Sequence, residues 1–187
     1  MTKEPAAKKT FEGIVPRSFF TLDSEVLGTP NNLKPIKRLY REWGNTSKTS
    51  YKIDYVLRPT AKLLDAGWEL GAIGVEVKAG PLVGNPLKKP GRVISQLLDY
   101  QCAEFCLSDG KLVPLSMVFL FVFPYERFSG LFASVMMQEG IGVVKGYRNA
   151  PESFKLVHGN CMHPILEIID GVPAYKRPRF GYALGSR

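Results

Sequence analysis

The chain has 187 residues, of which 45% are hydrophobic and 22% are charged, so it has the composition of a globular protein able to bury a full core. Its net charge of +8 favours an anionic partner, although basic charge alone does not identify one. Three cysteines do not make a disulfide framework and no apolar run reaches membrane-spanning length, so we predict a cytoplasmic protein with no membrane partner.

The first half of the chain predicts a leader, a helix and two strands. Residues 1–10 are polar and contain lysines, which favours a disordered leader before a single domain at 11–175. Pro35–Trp43 predicts a helix, because its apolar residues recur at helical spacing between an initial proline and a following glycine. Tyr51–Leu57 and Ala72–Ala79 are both apolar runs with the alternation of strands.

Each of these two strands carries acidic residues among apolar ones. In the first strand, Ile53 and Tyr55 are expected to share the core face, which leaves Asp54 on the other face. In the second strand, Glu76 and Lys78 share the face opposite the alternating apolar residues. If the strands pair, the two carboxylates can meet across them.

The second half of the chain predicts one helix and further strands. Arg92–Leu107 has apolar residues at helical spacing. Ser116–Phe123 is apolar on both faces, which is typical of a central strand. Leu131–Met137 and Ile141–Lys145 are candidate strands, and Ile165–Ile169 is either a strand or a short helix. Residues 176–187 are predicted to form a basic tail.

One helix face of Arg92–Leu107 carries Gln96 and Tyr100, which are one turn apart. This face is expected to lie away from the apolar stripe that includes Leu97 and Phe105. Both polar side chains could therefore line a groove beside the sheet. Without the acids on the strands, an ordinary polar helix face would be the simpler interpretation.

The acids and the lysine suit phosphodiester hydrolysis, which requires an activated water and neutralisation of charge at phosphorus. Magnesium bound by one or two carboxylates supplies much of this, so Asp54 and Glu76 are candidate ligands, with the carbonyl of Val77 as a further one. Lys78 lies roughly 7 Å along the strand from Glu76 and could orient or deprotonate the water, or stabilise the transition state. Solvated residues on an exposed sheet face are the alternative, but that leaves unexplained why both acids interrupt apolar strands.

Asp54, the Glu76-Val77-Lys78 triplet and the Gln96-x-x-x-Tyr100 pair resemble the PD-(D/E)XK nuclease superfamily, especially its RecB-like and phage-exonuclease-like branches. The resemblance implies an α/β fold with a restriction-endonuclease-like core, in which a central mixed sheet is flanked by helices in the order α-β-β-β-α-β. It implies that Asp54 and Glu76 bind Mg²⁺ or Mn²⁺ and that Lys78 is catalytic. It implies that Gln96 and Tyr100 support the site or the DNA phosphates.

The sequence departs from the family pattern at three points. Ile53 occupies the position of the family's proline. The family often has a metal-binding glutamate on its first helix, for which Glu42 is the candidate and Glu25 the second, although Glu42 is equally well explained as a surface residue. The core order also requires a strand that residues 80–91 do not supply, so this strand is expected after the Gln96 helix or outside the segment from 35 to 107.

Basic residues form two groups near the predicted site, one around the first helix and one before the Gln96 helix. They could contact DNA phosphates, with a solvated surface as the alternative for the second group. The residues are Lys34, Lys37, Arg38, Arg41, Lys88, Lys89 and Arg92.

The sequence therefore predicts a magnesium- or manganese-dependent DNA nuclease, in a setting such as DNA processing, defence or mobile-element biology. An RNA-directed or structure-selective nuclease on the same fold is the first alternative. A binding module that does not cleave, or a structural subunit, is the second. A homo-oligomer is compatible with the resemblance.

Overall fold

The computed structural model describes residues 3–30, 50–80, 89–123, 135–136, 138–147, 150–158 and 163–175. Helices in this part include α1 (Lys3–Ile14), α2 (Ala61–Asp65) and α3 (Lys89–Gln101). The first five strands are β1 (Phe20–Pro30), β2 (Tyr51–Pro59), β3 (Ile73–Ala79), β4 (Ala103–Cys106) and β5 (Leu112–Pro114). The others are β6 (Met117–Phe123), β7 (Ile141–Tyr147), β8 (Ala150–His158), β9 (His163–Ile169) and β10 (Val172–Tyr175).

These strands form one ten-stranded mixed sheet in the order β10-β9-β8-β7-β6-β3-β2-β1-β4-β5. At its centre β1, β2 and β3 are antiparallel neighbours, and β6 lies parallel to β3 after the chain has passed through α3. The expected α/β class with a mixed sheet is confirmed, although the sheet predominates over the helices in the described residues. None of the helices described is long and apolar enough to cross a membrane.

The sheet is covered by α1 on one face and by α3 on the other. Ala7 and Phe11 of α1 are fully buried against one side of the central strands, and Leu97 and Tyr100 of α3 are buried against the opposite side. Full burial of a large apolar side chain contributes about 1.5–3 kcal/mol. Because both faces of the sheet are covered, the central strand β6 is apolar on both of its faces, as its sequence predicts.

The sheet curls around α1. The ring of Phe20 on β1 lies 5.8 Å from the ring of Phe154 on β8, although four strands separate β1 from β8 in the sheet. In a flat sheet these strands would be roughly 24 Å apart. Trp68 and Tyr175 also meet across this concave side, with ring centroids 5.1 Å apart. The curvature wraps the sheet around the buried stripe of α1, while the other side of this helix is exposed.

The prediction of a disordered leader at residues 1–10 is wrong for residues 3–10, which lie in α1. Ala7 has no solvent exposure, and Phe11 and Val15 follow it at intervals of four residues. Such a stripe holds only one apolar residue per turn, so the polar residues between hide it in the sequence.

The helix predicted at Arg92–Leu107 is too long, because α3 ends at Gln101 and β4 begins at Ala103. Phe105, which was expected on the core stripe of this helix, lies instead in β4. The strands predicted to begin near Tyr51, Ala72, Ser116 and Ile141 are confirmed, and Ile165–Ile169 lies in a strand. The strand predicted at Leu131–Met137 is wrong for residues 135–136, which are helical, and its other residues lie outside the described ones. The predicted helix Pro35–Trp43 and the tail 176–187 lie outside the described residues.

Candidate functional site

The site is built where β2 and β3 separate. The regular pairing of these strands runs through Leu57–Ile73 and Val56–Gly74 and ends at Tyr55–Val75. One residue further, the side chain of Asp54 takes the place of the backbone: its Oδ2 accepts a hydrogen bond of 2.8 Å from the backbone N–H of Val77. Continuing the register places Asp54 opposite Glu76, as expected if the acidic strands pair.

Both β1 and β2 change the face that they bury at this point. Ile53 packs on the α3 side of the sheet, whereas Tyr55 packs on the α1 side, so the prediction that they share a face is wrong. Side chains two residues apart normally point the same way along a strand. Opposite Asp54, Glu25 of β1 has a positive φ of 53°, which costs a residue other than glycine of order 1–3 kcal/mol. The acids therefore lie at a local distortion of two paired strands.

Glu76 is the most enclosed acid of the site, with 4% of its surface exposed. Its Oε1 accepts a 2.9 Å hydrogen bond from Nε2 of Gln96 and forms an ion pair with Nζ of Lys78. Its Oε2 is buried and has no hydrogen-bond partner among the described residues. Burial, followed by repulsion from Asp54, raises the pKa of Glu76 despite the opposing effect of Lys78. The surroundings of Glu76 therefore favour the protonated form of this carboxyl group more than water does.

The polar pair on α3 reaches this site as predicted, but Tyr100 does so from within the core. Its ring is buried, so the expectation that its helix face lies away from the core is wrong. The hydroxyl of Tyr100 donates a 2.6 Å hydrogen bond to the carbonyl of Lys52 on β2 and accepts one from Gln96. Burial and the charge of Glu76 raise the pKa of Tyr100, so the hydroxyl stays protonated. The pair therefore ties α3 to both acidic strands.

A lysine that the sequence interpretation missed also reaches the site. Nζ of Lys8 on α1 lies 2.6 Å from Oδ1 of Asp54 and forms a second ion pair with Glu25. Burial opposes the charge of Lys8, but the two carboxylates outweigh it and raise the pKa of Lys8. Hydrogen bonds from Lys52 and Lys8 lower the pKa of Glu25. Lys8 could have been found from the sequence by recognising the apolar stripe of α1, because Lys8 directly follows Ala7, a residue of that stripe.

Of the remaining residues predicted for metal or nucleic-acid binding, the structure describes Val77 and Arg92. Val77 gives its N–H to Asp54, while its carbonyl remains the candidate ligand. Arg92 is exposed near the start of α3. Glu42, Lys34, Lys37, Arg38, Arg41, Lys88 and the side chain of Lys89 lie outside the described residues.

Among the described residues, the acid that α1 brings towards β2 is Glu12. Oε1 of Glu12 accepts a 2.7 Å hydrogen bond from the hydroxyl of Tyr55. This contact fastens α1 to β2 beside the Lys8–Asp54 ion pair, so Glu12 supports the position of α1.

A magnesium or manganese ion suits this donor set. Asp54 and Glu76 supply hard carboxylate oxygens, and the unpartnered Oε2 of Glu76 is an unused acceptor. In the part of the chain that the structure describes, no three side chains of His, Cys, Asp or Glu form a group that could hold a metal. An ion here would therefore complete its coordination with backbone carbonyls and water, which magnesium commonly does.

The raised pKa of Glu76 predicts a pH effect on the metal-free protein. Its folded pKa lies above the ordinary value of 4.5, so the stability linked to its protonation is present below 4.5 and is lost as the pH rises through the folded pKa. We expect wild type to gain stability relative to Glu76→Gln as the pH falls from 8 towards 5. Urea denaturation in the presence of chelator measures the difference, and Glu4→Gln on the exposed side of α1 is the control. If the free energy of unfolding changed equally with pH in wild type and in Glu76→Gln, the expected effect would be contradicted.

Comparison of the chain with protein-family models, with curated proteins and with solved structures finds no match in any of the three. The PD-(D/E)XK resemblance therefore remains a prediction carried by the site residues.

Proposed function

We propose that this chain is a metal-dependent DNA nuclease with a PD-(D/E)XK-like site. The observation that carries the proposal is the convergence of Asp54, Glu76 and Lys78, where Oε2 of Glu76 is buried without a partner. An ionised carboxylate is costly to bury unless a cation or hydrogen-bond donors compensate it. Metal binding readily explains the unpartnered carboxylate oxygen of Glu76 beside a second acid, Asp54.

The order of the central elements supports the proposal. Apart from the short helix α2 between β2 and β3 and the edge strands β4 and β5 after α3, the described elements run α1, the antiparallel strands β1, β2 and β3, α3, and then β6 parallel to β3. This is the α-β-β-β-α-β order that the resemblance implies. In this reading the further strand is β1, at Phe20–Pro30, which lies outside the segment from 35 to 107, the second of the two expected places. A restriction-endonuclease-like core is accordingly part of the proposal.

In this proposal Asp54 and Glu76 hold the metal ion, with the carbonyl of Val77 as a further ligand. A bound ion would help activate water and neutralise charge at the phosphorus. Gln96 fixes Glu76 through Oε1, which leaves Oε2 available. The N–H of Val77 fixes Asp54 in the same way.

Lys78 supplies a partly exposed positive charge to the site. Its side chain is 25% exposed and its Nζ lies on Glu76, so the ammonium group is held beside the carboxylates while remaining accessible. From this position Lys78 can orient the attacking water or stabilise the negative charge that develops on the phosphate oxygens.

The charge of the chain supports a nucleic-acid substrate. The net charge of +8 favours a polyanion. Arg92 is exposed one helical turn before Gln96, close enough along α3 for a phosphate contact beside the site. These features suit DNA and RNA alike, so RNA is included in the test.

The test is cleavage of labelled linear DNA and supercoiled plasmid with magnesium, with manganese and with chelator, with RNA assayed in parallel. We expect cleavage of DNA that depends on the metal. Products released from the ends of linear DNA would identify an exonuclease, and linearised plasmid an endonuclease. DNA that is bound but left intact with both metals would overturn the DNA nuclease assignment and favour a binding module. Cleavage of RNA alone would favour the RNA-directed alternative.

A further inference from the structure

One ammonium group bridges acids from two strands. Nζ of Lys8 lies 2.6 Å from Oδ1 of Asp54 on β2 and forms an ion pair with Oε1 of Glu25 on β1. The other oxygen of each acid is also engaged: Oδ2 of Asp54 by the N–H of Val77, and Oε2 of Glu25 by Lys52. Two carboxylates around a single positive charge have the arrangement of a cation site, and here the cation belongs to the chain.

The position of this ammonium group is fixed by the packing of α1. Ala7, directly before Lys8, has no solvent exposure. The ring of Phe11, one turn later, lies 4.9 Å from Tyr55 and 5.3 Å from Phe121. The side chain of Lys8 is itself 23% exposed, so a small part of it meets solvent. Lys8 is therefore delivered to Asp54 by a docked helix.

Asp54 lies between Glu25 and Glu76, and the surroundings of its two sides differ. On the Glu25 side, Lys8 already compensates the charge of Asp54. On the Glu76 side, one buried carboxylate oxygen has no partner in the described residues. A free divalent ion on the Glu25 side would meet the charge of Lys8 and be repelled by it, whereas Oε2 of Glu76 offers an unused acceptor.

We propose that Lys8 is a positioning residue that serves as a built-in cation between Asp54 and Glu25, so that the site takes one divalent ion, on the Glu76 side. The proposal rests on the proposed function, because it concerns the number of metal ions that the nuclease site binds. Lys8 holds Asp54 in place and keeps a second ion out.

The test is the stoichiometry of manganese binding, measured by isothermal titration calorimetry on the full chain without DNA. Wild type is expected to bind one Mn²⁺ per chain. In Lys8→Ala the two carboxylates lose their shared cation, and a second, weaker binding event is expected. Lys8→Arg keeps the charge and should bind one ion. Lys9→Ala, which removes an exposed lysine from the same helix, is the matched control and should also bind one.

Several results would overturn this role of Lys8. Two ions bound by wild type, or one ion bound by a folded Lys8→Ala chain with wild-type affinity, would each exclude it while leaving the nuclease proposal intact. No Mn²⁺ bound by wild type would overturn the metal-dependent function itself, and the role of Lys8 with it. If Lys8→Ala fails to fold, Lys8→Met keeps most of the aliphatic stem and carries the same expectation.

Discussion

Replacement of Lys78 by alanine is expected to lower the rate of DNA cleavage by about 10²–10⁴-fold, the range associated with loss of a general acid–base or a charge-stabilising group. Its Nζ pairs with Glu76 at the mouth of the site, and its side chain contributes little to the core. The fold should therefore persist. Single-turnover cleavage at saturating metal measures the rate, and circular dichroism checks the fold.

A lysine distant from the site provides the control for this experiment. Lys111 is 75% exposed and pairs with Asp109 in the turn between β4 and β5, so Lys111→Ala should cleave at the wild-type rate. Removing Lys78 also removes a cation that competes for Glu76, so Mn²⁺ should bind Lys78→Ala at least as tightly as wild type. Cleavage by Lys78→Ala within about threefold of wild type would exclude a catalytic role for this lysine.

Replacement of Phe11 by alanine is expected to reduce the free energy of unfolding by about 3–5 kcal/mol, the usual cost of truncating a buried phenylalanine. Phe11 is fully buried and its ring packs against Tyr55 and Phe121. The change opens a cavity between α1 and the concave face of the sheet. Such a loss is a large part of the total stability of about 5–15 kcal/mol that is typical of a domain. Urea denaturation measures it.

The neighbouring Lys9 provides the comparison, because it is exposed on the same helix. Lys9→Ala should change the free energy of unfolding by no more than about 0.5 kcal/mol. If Phe11→Ala were no more destabilising than Lys9→Ala, α1 would not be docked on the sheet, and Lys8 could not be held on Asp54. The pair of variants therefore tests the foundation of the Lys8 proposal as well.

The acidic strands could be predicted because polar residues stand out in an apolar alternation. Glu76 and Lys78 interrupt a run whose other face is apolar, and the structure places them on the face opposite Ile73 and Val75 as expected. The meeting of the two acids was conditional on pairing of β2 with β3, and the structure shows this pairing. Local periodicity was sufficient here because each strand has one clear pattern.

The elements before Asp54 were missed for two physical reasons. The buried stripe of α1 contains one apolar residue per turn, which makes the segment look like a polar leader. In β1, Leu22 and Val26 pack on opposite faces of the sheet, because the strand changes face around Glu25. A strand that changes face has no continuous period of two, so its sequence does not resemble a strand.

By itself the sequence determined the α/β character and the acidic strands, since each depends on residue type and local spacing, while the five side chains of the predicted site rest on the resemblance and stay a prediction. Only the tertiary structure decided that Tyr100 reaches the site from within the core and that β1 lies beside β2, the strand that carries Asp54. It also decided that Lys8 bridges Asp54 and Glu25. These contacts join residues far apart in the chain, and they exist because a curled sheet packs around α1.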